Sequence, residues 1–198
     1  MTFIKTDIPA PGIVELLFYK GNTGKALSNL ADTILLGPSP LSPGERETIA
    51  AYVSMLNNCE FCHESHSASV NAHLGDKGET IAGLRKNVNT ANLSEKMKKL
   101  LAIAGQVQQS GKAVTPQAIE AAKHAGANDE EIHDTVLVAA AFCMYNRYVD
   151  GLNTSLPAKK EEYGNMGVRM SKGYKYPPLI LRKFVIWMMK RKAAKSKT

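Results

Sequence analysis

Residues 41–70 read LSPGERETIAAYVSMLNNCEFCHESHSASV, and this stretch predicts two consecutive helices. Ser42 can cap the first helix, and Glu45, three residues later, can complete a capping box. The helix then runs over Pro43–Leu56 with its apolar residues at helical spacing. A two-residue break separates it from a second helix, Cys59–Leu74. A helical hairpin is therefore expected here.

The rest of the body shows the same helical periodicity. No segment alternates apolar and polar residues over four to eight positions, so strands are not expected. We predict an all-α bundle of about eight or more helices. Capped helices that begin near residues 43 and 95 are each followed by further helices, which is compatible with two related helical hairpins. The other predicted helices are Gly12–Lys20, Gly24–Leu36, Asp76–Asn87, Ser94–Ser110, a short one from Thr115 to Gly126 and a long one from Asn128 to Tyr148.

The positive charge lies at one end of the chain. The formal net charge is +7, yet residues 169–198 hold ten lysines or arginines and no acid, so the first 168 residues carry a net charge of −3. A nucleic-acid-binding protein needs a basic face on its folded body, so no nucleic-acid partner is predicted. We divide the chain into a helical domain, 1–160, and a basic C-terminal extension with a helix, 161–198.

The extension ends in LILRKFVIWMMKRKAAKSKT, residues 179–198, which is too short and too charged to cross a bilayer. A basic helix with tryptophan and methionine can lie on an anionic membrane surface. Its apolar residues nevertheless fall nearly all round the helix, which favours packing against another subunit. Three cysteines and the lack of a secretory signal indicate a cytoplasmic protein.

The segment CEFCHESH, residues 59–66, carries the chemistry. On a helix, Cys59, Cys62 and His66 share one face, and His63 lies near the same stripe. A thiol at a helix N-terminus is more readily ionised, a histidine one turn away can move a proton, and a second thiol can close a disulfide. The N-terminal position favours Cys59 as the thiolate, whereas the i,i+4 spacing favours activation of Cys62 by His66.

A zinc site is the main alternative for these residues, because Cys59, Cys62 and His66 can all bind metal. A closed zinc site usually needs a second ligand pair, and the remaining candidates stand alone in the sequence. Cys143 lies in an apolar helix and is interpreted as a buried, inert thiol. The other isolated candidates are His73, His124 and His133.

Glu47, eleven intervening residues and then Cys59-x-x-Cys62-x-x-x-His66 resemble the signature of the AhpD-like alkylhydroperoxidase family. This family is part of the carboxymuconolactone decarboxylase-like superfamily. VTPQAIEAAKHAGANDEEIHDTVLVAAAFCMYNRYVDGL, residues 114–152, is similar to the later half of its peroxidase-related members. The likeness covers about residues 9–157.

The resemblance implies an all-helical homo-oligomer that reduces hydroperoxides through a dithiol–disulfide cycle. Cys59 and Cys62 would be the redox pair, with Glu47 and His66 as a proton relay. A lipoyl or thioredoxin-like protein would be the reductant, and no metal, haem or flavin is implied. Phe61 stands where well-known members have a histidine between the cysteines, and His63 is a candidate to support the relay instead.

Two other functions are kept beside a thiol peroxidase or disulfide oxidoreductase. One is a decarboxylase or isomerase of a small lactone acid, which would work without the cysteine pair. The other is a non-enzymatic zinc-binding or interaction protein, recruited to membranes by its tail.

Overall fold

A computed structural model describes residues 2–195, which form ten α-helices and no strand. This confirms the predicted all-α class. The helices are α1 (Ile13–Tyr19), α2 (Gly21–Leu36), α3 (Pro43–Leu56), α4 (Glu60–Leu74), α5 (Glu79–Lys86), α6 (Glu95–Gln109), α7 (Pro116–His124), α8 (Asp129–Gly151), α9 (Glu161–Met170) and α10 (Arg182–Lys195). Short 3₁₀ helices, Gly111–Ala113 and Leu179–Leu181, precede α7 and α10.

The two strongest start signals of the sequence form as expected. The Ser42 hydroxyl accepts a hydrogen bond from the Glu45 backbone N–H, and the Glu45 carboxylate accepts one from the Ser42 N–H. Asn128 and Glu131 make the same reciprocal pair at the start of α8. Each pair satisfies two backbone donors that a helix would otherwise leave without partners. The hairpin α3–α4 and the long α8 therefore begin where the residues dictate.

The central bundle consists of α3, α4, α6 and α8. α3 packs against α4, α6 and α8. α6 packs mainly on α8, although the short helix α7 lies between them in the sequence. The second helical pair is therefore α6–α8 rather than two adjacent helices. Fully buried aliphatic and aromatic side chains fill the space between them: Leu35, Ile49, Val53, Val70, Leu100, Leu101, Ile103 and Phe142.

Three boundaries differ from the sequence prediction by three residues each, and the first is the start of α2 at Gly21 rather than Gly24. α5 was expected to begin at Asp76, but it begins at Glu79 because the Asp76 carboxylate accepts hydrogen bonds from the Gly78 and Thr80 backbone N–H groups. These bonds form a turn that competes with the helix. α8 continues to Gly151, beyond the expected end at Tyr148.

The segment after residue 160 contains a helix that the sequence analysis did not predict. α9 carries two glycines, which lower helix propensity, and it packs against α4. Farther on, Arg182 at the start of α10 donates hydrogen bonds to the Phe18 and Tyr19 carbonyls at the end of α1. A cation is favourable there because carbonyls at a helix C-terminus lack partners. No helix in the described part is long and apolar enough to cross a membrane.

Gly167 allows α9 to approach α4 closely. A Cβ at this position would lie 2.3 Å from the Ala68 carbonyl carbon and 2.4 Å from its oxygen. We expect Gly167→Ala to lower the free energy of unfolding by about 1–3 kcal/mol, because backbone rather than a flexible side chain must move.

The matched control is Gly164→Ala on the same helix, where an added Cβ meets no atom within 4 Å. That change should leave stability equal or raise it by about 0.5–1 kcal/mol. Chemical denaturation followed by circular dichroism compares the two variants. Equal unfolding midpoints would contradict the close packing of α9 on α4.

Candidate active site

Both cysteines of the motif lie at the start of α4. Cys59 is the N-cap residue and Cys62 belongs to the first turn, and both are buried free thiols. The hydrogen bond of Cys59 to Cys62 raises the pKa of the Cys59 thiol, and burial and a hydrogen bond to Asp150 raise it further. Cys59 therefore holds its proton and acts as the donor of the pair.

Cys62 also faces a cavity, whereas Cys59 does not line it. The cavity has a volume of about 630 Å³, and His66 lies in its wall one helical turn from Cys62. Most of the wall is apolar, with two cationic side chains, Arg169 and Lys175, at exposed positions. Its apolar lining includes Ile13, Leu17, Leu27, Phe142, Met166, Met170, Val185 and Met189. A cavity of this size and lining suits a small organic molecule.

The Glu47 carboxylate joins α3 to the histidine of α4. Its Oε2 lies 2.7 Å from His66 Nδ1, and the carboxylate is fully buried. The Tyr174 hydroxyl donates a hydrogen bond to the other oxygen, Oε1. Burial, together with the charge and hydrogen bond of Glu47, raises the pKa of Tyr174 well above its ordinary value, so the hydroxyl keeps its proton. Both oxygens of the buried carboxylate are thus satisfied, as a buried charge requires.

This arrangement fixes the His66 ring. Phe142 meets the ring edge-on with centroids 4.6 Å apart, and Tyr174 stacks nearly parallel to it at 6.1 Å. Because Nδ1 faces the Glu47 carboxylate, Nδ1 carries the donated proton, and Nε2 makes no hydrogen bond within residues 2–195. A histidine oriented by a carboxylate in this way can exchange a proton through its second nitrogen.

The structure places His63 away from this relay. Its Nδ1 lies 3.0 Å from the Ala51 carbonyl oxygen, and its Nε2 accepts a hydrogen bond from Arg85 Nε at 3.0 Å. Burial lowers the pKa of His63, and the charge of Arg85 lowers it further. The imidazole is therefore neutral, and both of its nitrogens are occupied by groups other than the thiols.

Phe61, between the two cysteines, fills space rather than carrying a proton. It is buried, packs on Tyr163 with ring centroids 6.2 Å apart and forms part of the cavity wall. The ring also lies against Gly12, where an added Cβ would come within 2.3 Å of it. Gly12 has a φ of 58°, which glycine adopts without strain. The side chain at this position thus forms part of the wall of the cavity that Cys62 also lines.

The residues that sequence analysis considered as additional metal ligands do not gather at the motif. Across residues 2–195, no three His, Cys, Asp or Glu side chains are grouped so that they could hold a metal ion. Cys143 is buried in α8, where its sulfur lies 3.7 Å from the Asn57 side-chain nitrogen. His133 lies on the surface beside Asp134. The zinc alternative therefore has no ligand set in this part of the chain.

Comparison with known proteins agrees with this site. A model of the carboxymuconolactone decarboxylase family matches residues 22–104, a range that includes Glu47, both cysteines and His66. A peroxidase-related protein of Silicibacter sp. TM1040 has a similar structure, with 26% sequence identity and a TM-score of 0.70, over 79% of this chain and 80% of that one. An AhpD core, peroxidase-related protein of Ralstonia eutropha JMP134 matches at 23% identity and a TM-score of 0.70, over 80% and 82%.

The family match over residues 22–104 and the shared fold support an assignment to the AhpD-like carboxymuconolactone decarboxylase superfamily. A protein of unknown function from Agrobacterium tumefaciens shares the fold, with 19% identity and a TM-score of 0.66, over 80% of this chain and all of that one. Among curated proteins, none matches the sequence. The chain thus shares the AhpD-like fold with these proteins, and the reaction has to be argued from the site.

Two residues of this AhpD-like site escaped the sequence analysis. Tyr174 lies 108 residues after His66 in a segment without helical periodicity. From the sequence, the i,i+3 spacing of Arg147 and Asp150 predicts an ion pair at the end of a helix. The structure instead has Arg147 donating to the Cys143 carbonyl, while Asp150 contributes to the raised pKa of the Cys59 thiol. Neither contact leaves a local signal, because each joins distant parts of the chain.

Proposed function

We propose that this AhpD-like protein is a thiol-dependent peroxidase that reduces organic hydroperoxides and passes through a disulfide between Cys59 and Cys62. The observation that carries the proposal is the placement of Cys62 and His66 together in an apolar cavity, with Glu47 behind the histidine. An apolar lining favours an organic hydroperoxide over hydrogen peroxide, because it desolvates the organic part of the substrate.

The first step uses Cys62 and His66. His66 Nε2 accepts the Cys62 proton, and the thiolate attacks the outer oxygen of the hydroperoxide. The O–O bond breaks, and the leaving alkoxide takes the proton from the imidazolium, which gives an alcohol and a Cys62 sulfenic acid. Glu47 stabilises the positive charge that His66 carries between these two events.

The second step uses the protonated Cys59. Its sulfur attacks the Cys62 sulfur, the S–O bond breaks, and the hydroxyl leaves as water with the Cys59 proton. One hydroperoxide and two thiols thus give one alcohol, one water and one disulfide. A dithiol, supplied by a lipoyl or thioredoxin-like protein, returns the pair to thiols by exchange. The reductant and a homo-oligomeric assembly stay predictions from the resemblance.

Thiol counting tests the cycle directly. The reduced chain has three cysteines, and one equivalent of cumene hydroperoxide should remove two thiols, which dithiothreitol restores. The matched control is Cys143→Ser, whose thiols should fall from two to none because only the motif pair reacts. If the wild type keeps three thiols while the hydroperoxide persists, the proposal fails. Turnover of a lactone acid by a Cys59→Ser, Cys62→Ser double variant would favour the decarboxylase alternative.

A further inference from the structure

The 3₁₀ helix Leu179–Leu181 and the C-terminal helix α10 together expose an unusual amount of apolar surface. Ile180 is 89% exposed, and its apolar neighbours in the same segment are 40–54% exposed. These neighbours are Leu179, Leu181, Phe184, Trp187 and Met188. A contiguous exposed apolar patch indicates a binding surface. We call the six residues the outer patch.

The opposite face of the same helix is attached to the body. Arg182 bonds to the carbonyls at the end of α1, and Val185 and Met189 line the cavity that contains Cys62. At 100° per residue, Phe184, Trp187 and Met188 point away from these anchors. The helix is thus held on one side and presents the outer patch on the other.

Positive charge surrounds the outer patch. The Phe184 and Trp187 rings stack 5.7 Å apart, and the Arg191 guanidinium lies 4.8 Å from the centre of the Trp187 ring. Lys183 and Lys190 are exposed on the same helix, and residues 169–198 contain no acid. A partner therefore has to provide both an apolar layer and negative charge.

We propose that α10 docks with its outer patch on an anionic membrane surface and lies parallel to it. Aromatic and methionine side chains enter the boundary between headgroups and acyl chains, while lysines and arginines meet anionic headgroups. A second copy of the chain fits less well, because two such helices would bring the same positive charges together. The helix has 14 residues, so it lies on the bilayer rather than crossing it.

This proposal does not rest on the peroxidase function. If both hold, docking brings one wall of the Cys62 cavity to the bilayer, because α10 contributes Val185 and Met189 to that wall. Hydroperoxides carried by membrane lipids would then be the nearest substrates.

The position of the single tryptophan makes the proposal easy to test. Trp187 is the only tryptophan of the chain, so its fluorescence reports on α10 alone. Vesicles of phosphatidylcholine with phosphatidylglycerol should shift its emission to shorter wavelength and sediment the full-length protein. Vesicles of phosphatidylcholine alone should do neither, and added salt should weaken the binding.

A matched pair of variants separates the outer patch from exposed apolar residues elsewhere. Phe184→Ser with Met188→Ser should weaken vesicle binding at least about tenfold and leave Trp187 in place as the reporter. Leu137→Ser with Met144→Ser, which changes two exposed apolar residues of α8, should bind as the wild type does. Equal binding to neutral vesicles, no emission shift, or a dimer that only the α10 variant dissociates would overturn the proposal.

Discussion

Replacing Cys62 with serine is expected to lower kcat/KM for an organic hydroperoxide at least about a thousandfold, since it removes the attacking sulfur. Cys59→Ser should behave differently. The first step stays intact because Cys62 still faces the cavity beside His66. Each chain should form one alcohol and then stop, with Cys62 held as a sulfenic acid. Alcohol formed per chain and steady-state turnover measure the two stages separately.

Dimedone, which reacts with sulfenic acids, distinguishes the two cysteines chemically. After peroxide treatment, mass spectrometry should find the adduct on Cys62 in the Cys59→Ser variant and no adduct on Cys59 in the Cys62→Ser variant. Cys143→Ser is the control and should turn over as the wild type does. An adduct on Cys59 would contradict the proposed order of attack, in which Cys62, the cysteine that lines the cavity, reacts first.

Replacing Glu47 with glutamine should lower kcat about a hundredfold and leave KM for the hydroperoxide within a few-fold, because Glu47 touches His66 and not the cavity. Glutamine keeps the shape of the side chain but cannot stabilise an imidazolium. The rate of Cys62 oxidation in a single turnover, followed by stopped flow, measures the affected step.

Tyr174→Phe tests the other side of the same carboxylate. It removes one hydrogen bond to Glu47 and keeps the ring that stacks on His66, so we expect a smaller loss of about tenfold in kcat. Tyr176→Phe is the matched control, since that ring stacks on Phe18 instead. Equal rates for Tyr174→Phe and Tyr176→Phe would mean that the Tyr174 hydroxyl does not position the relay.

The features that could be predicted from the sequence depend on contacts between residues that are close together in it. The capping pairs Ser42–Glu45 and Asn128–Glu131 involve residues three apart, so the pattern itself specifies their contacts. The shared position of Cys62 and His66 on the cavity follows from helical spacing in the same way. Glu47 was reached only through the resemblance, because its approach to His66 depends on how α3 packs on α4.

Other parts of the site depend on contacts that no periodicity encodes. His63 lies near the cysteine stripe on a helical wheel, yet the Ala51 carbonyl and Arg85 determine what its nitrogens meet. α9 was missed because Gly167 lowers helix propensity at the place where close packing on Ala68 requires glycine. A wheel gives the direction of a side chain, and tertiary packing decides its partner.

The late position of Tyr174 links the site to the order of protein synthesis. Residues 47–66 emerge from the ribosome long before the tyrosine, which follows His66 by 108 positions. A nascent chain of that length already carries both thiols, but the Glu47 carboxylate lacks one of its two donors and the cavity lacks its α10 wall. The complete site therefore forms only after Tyr174 and α10 have been translated, well after both thiols are present in the chain.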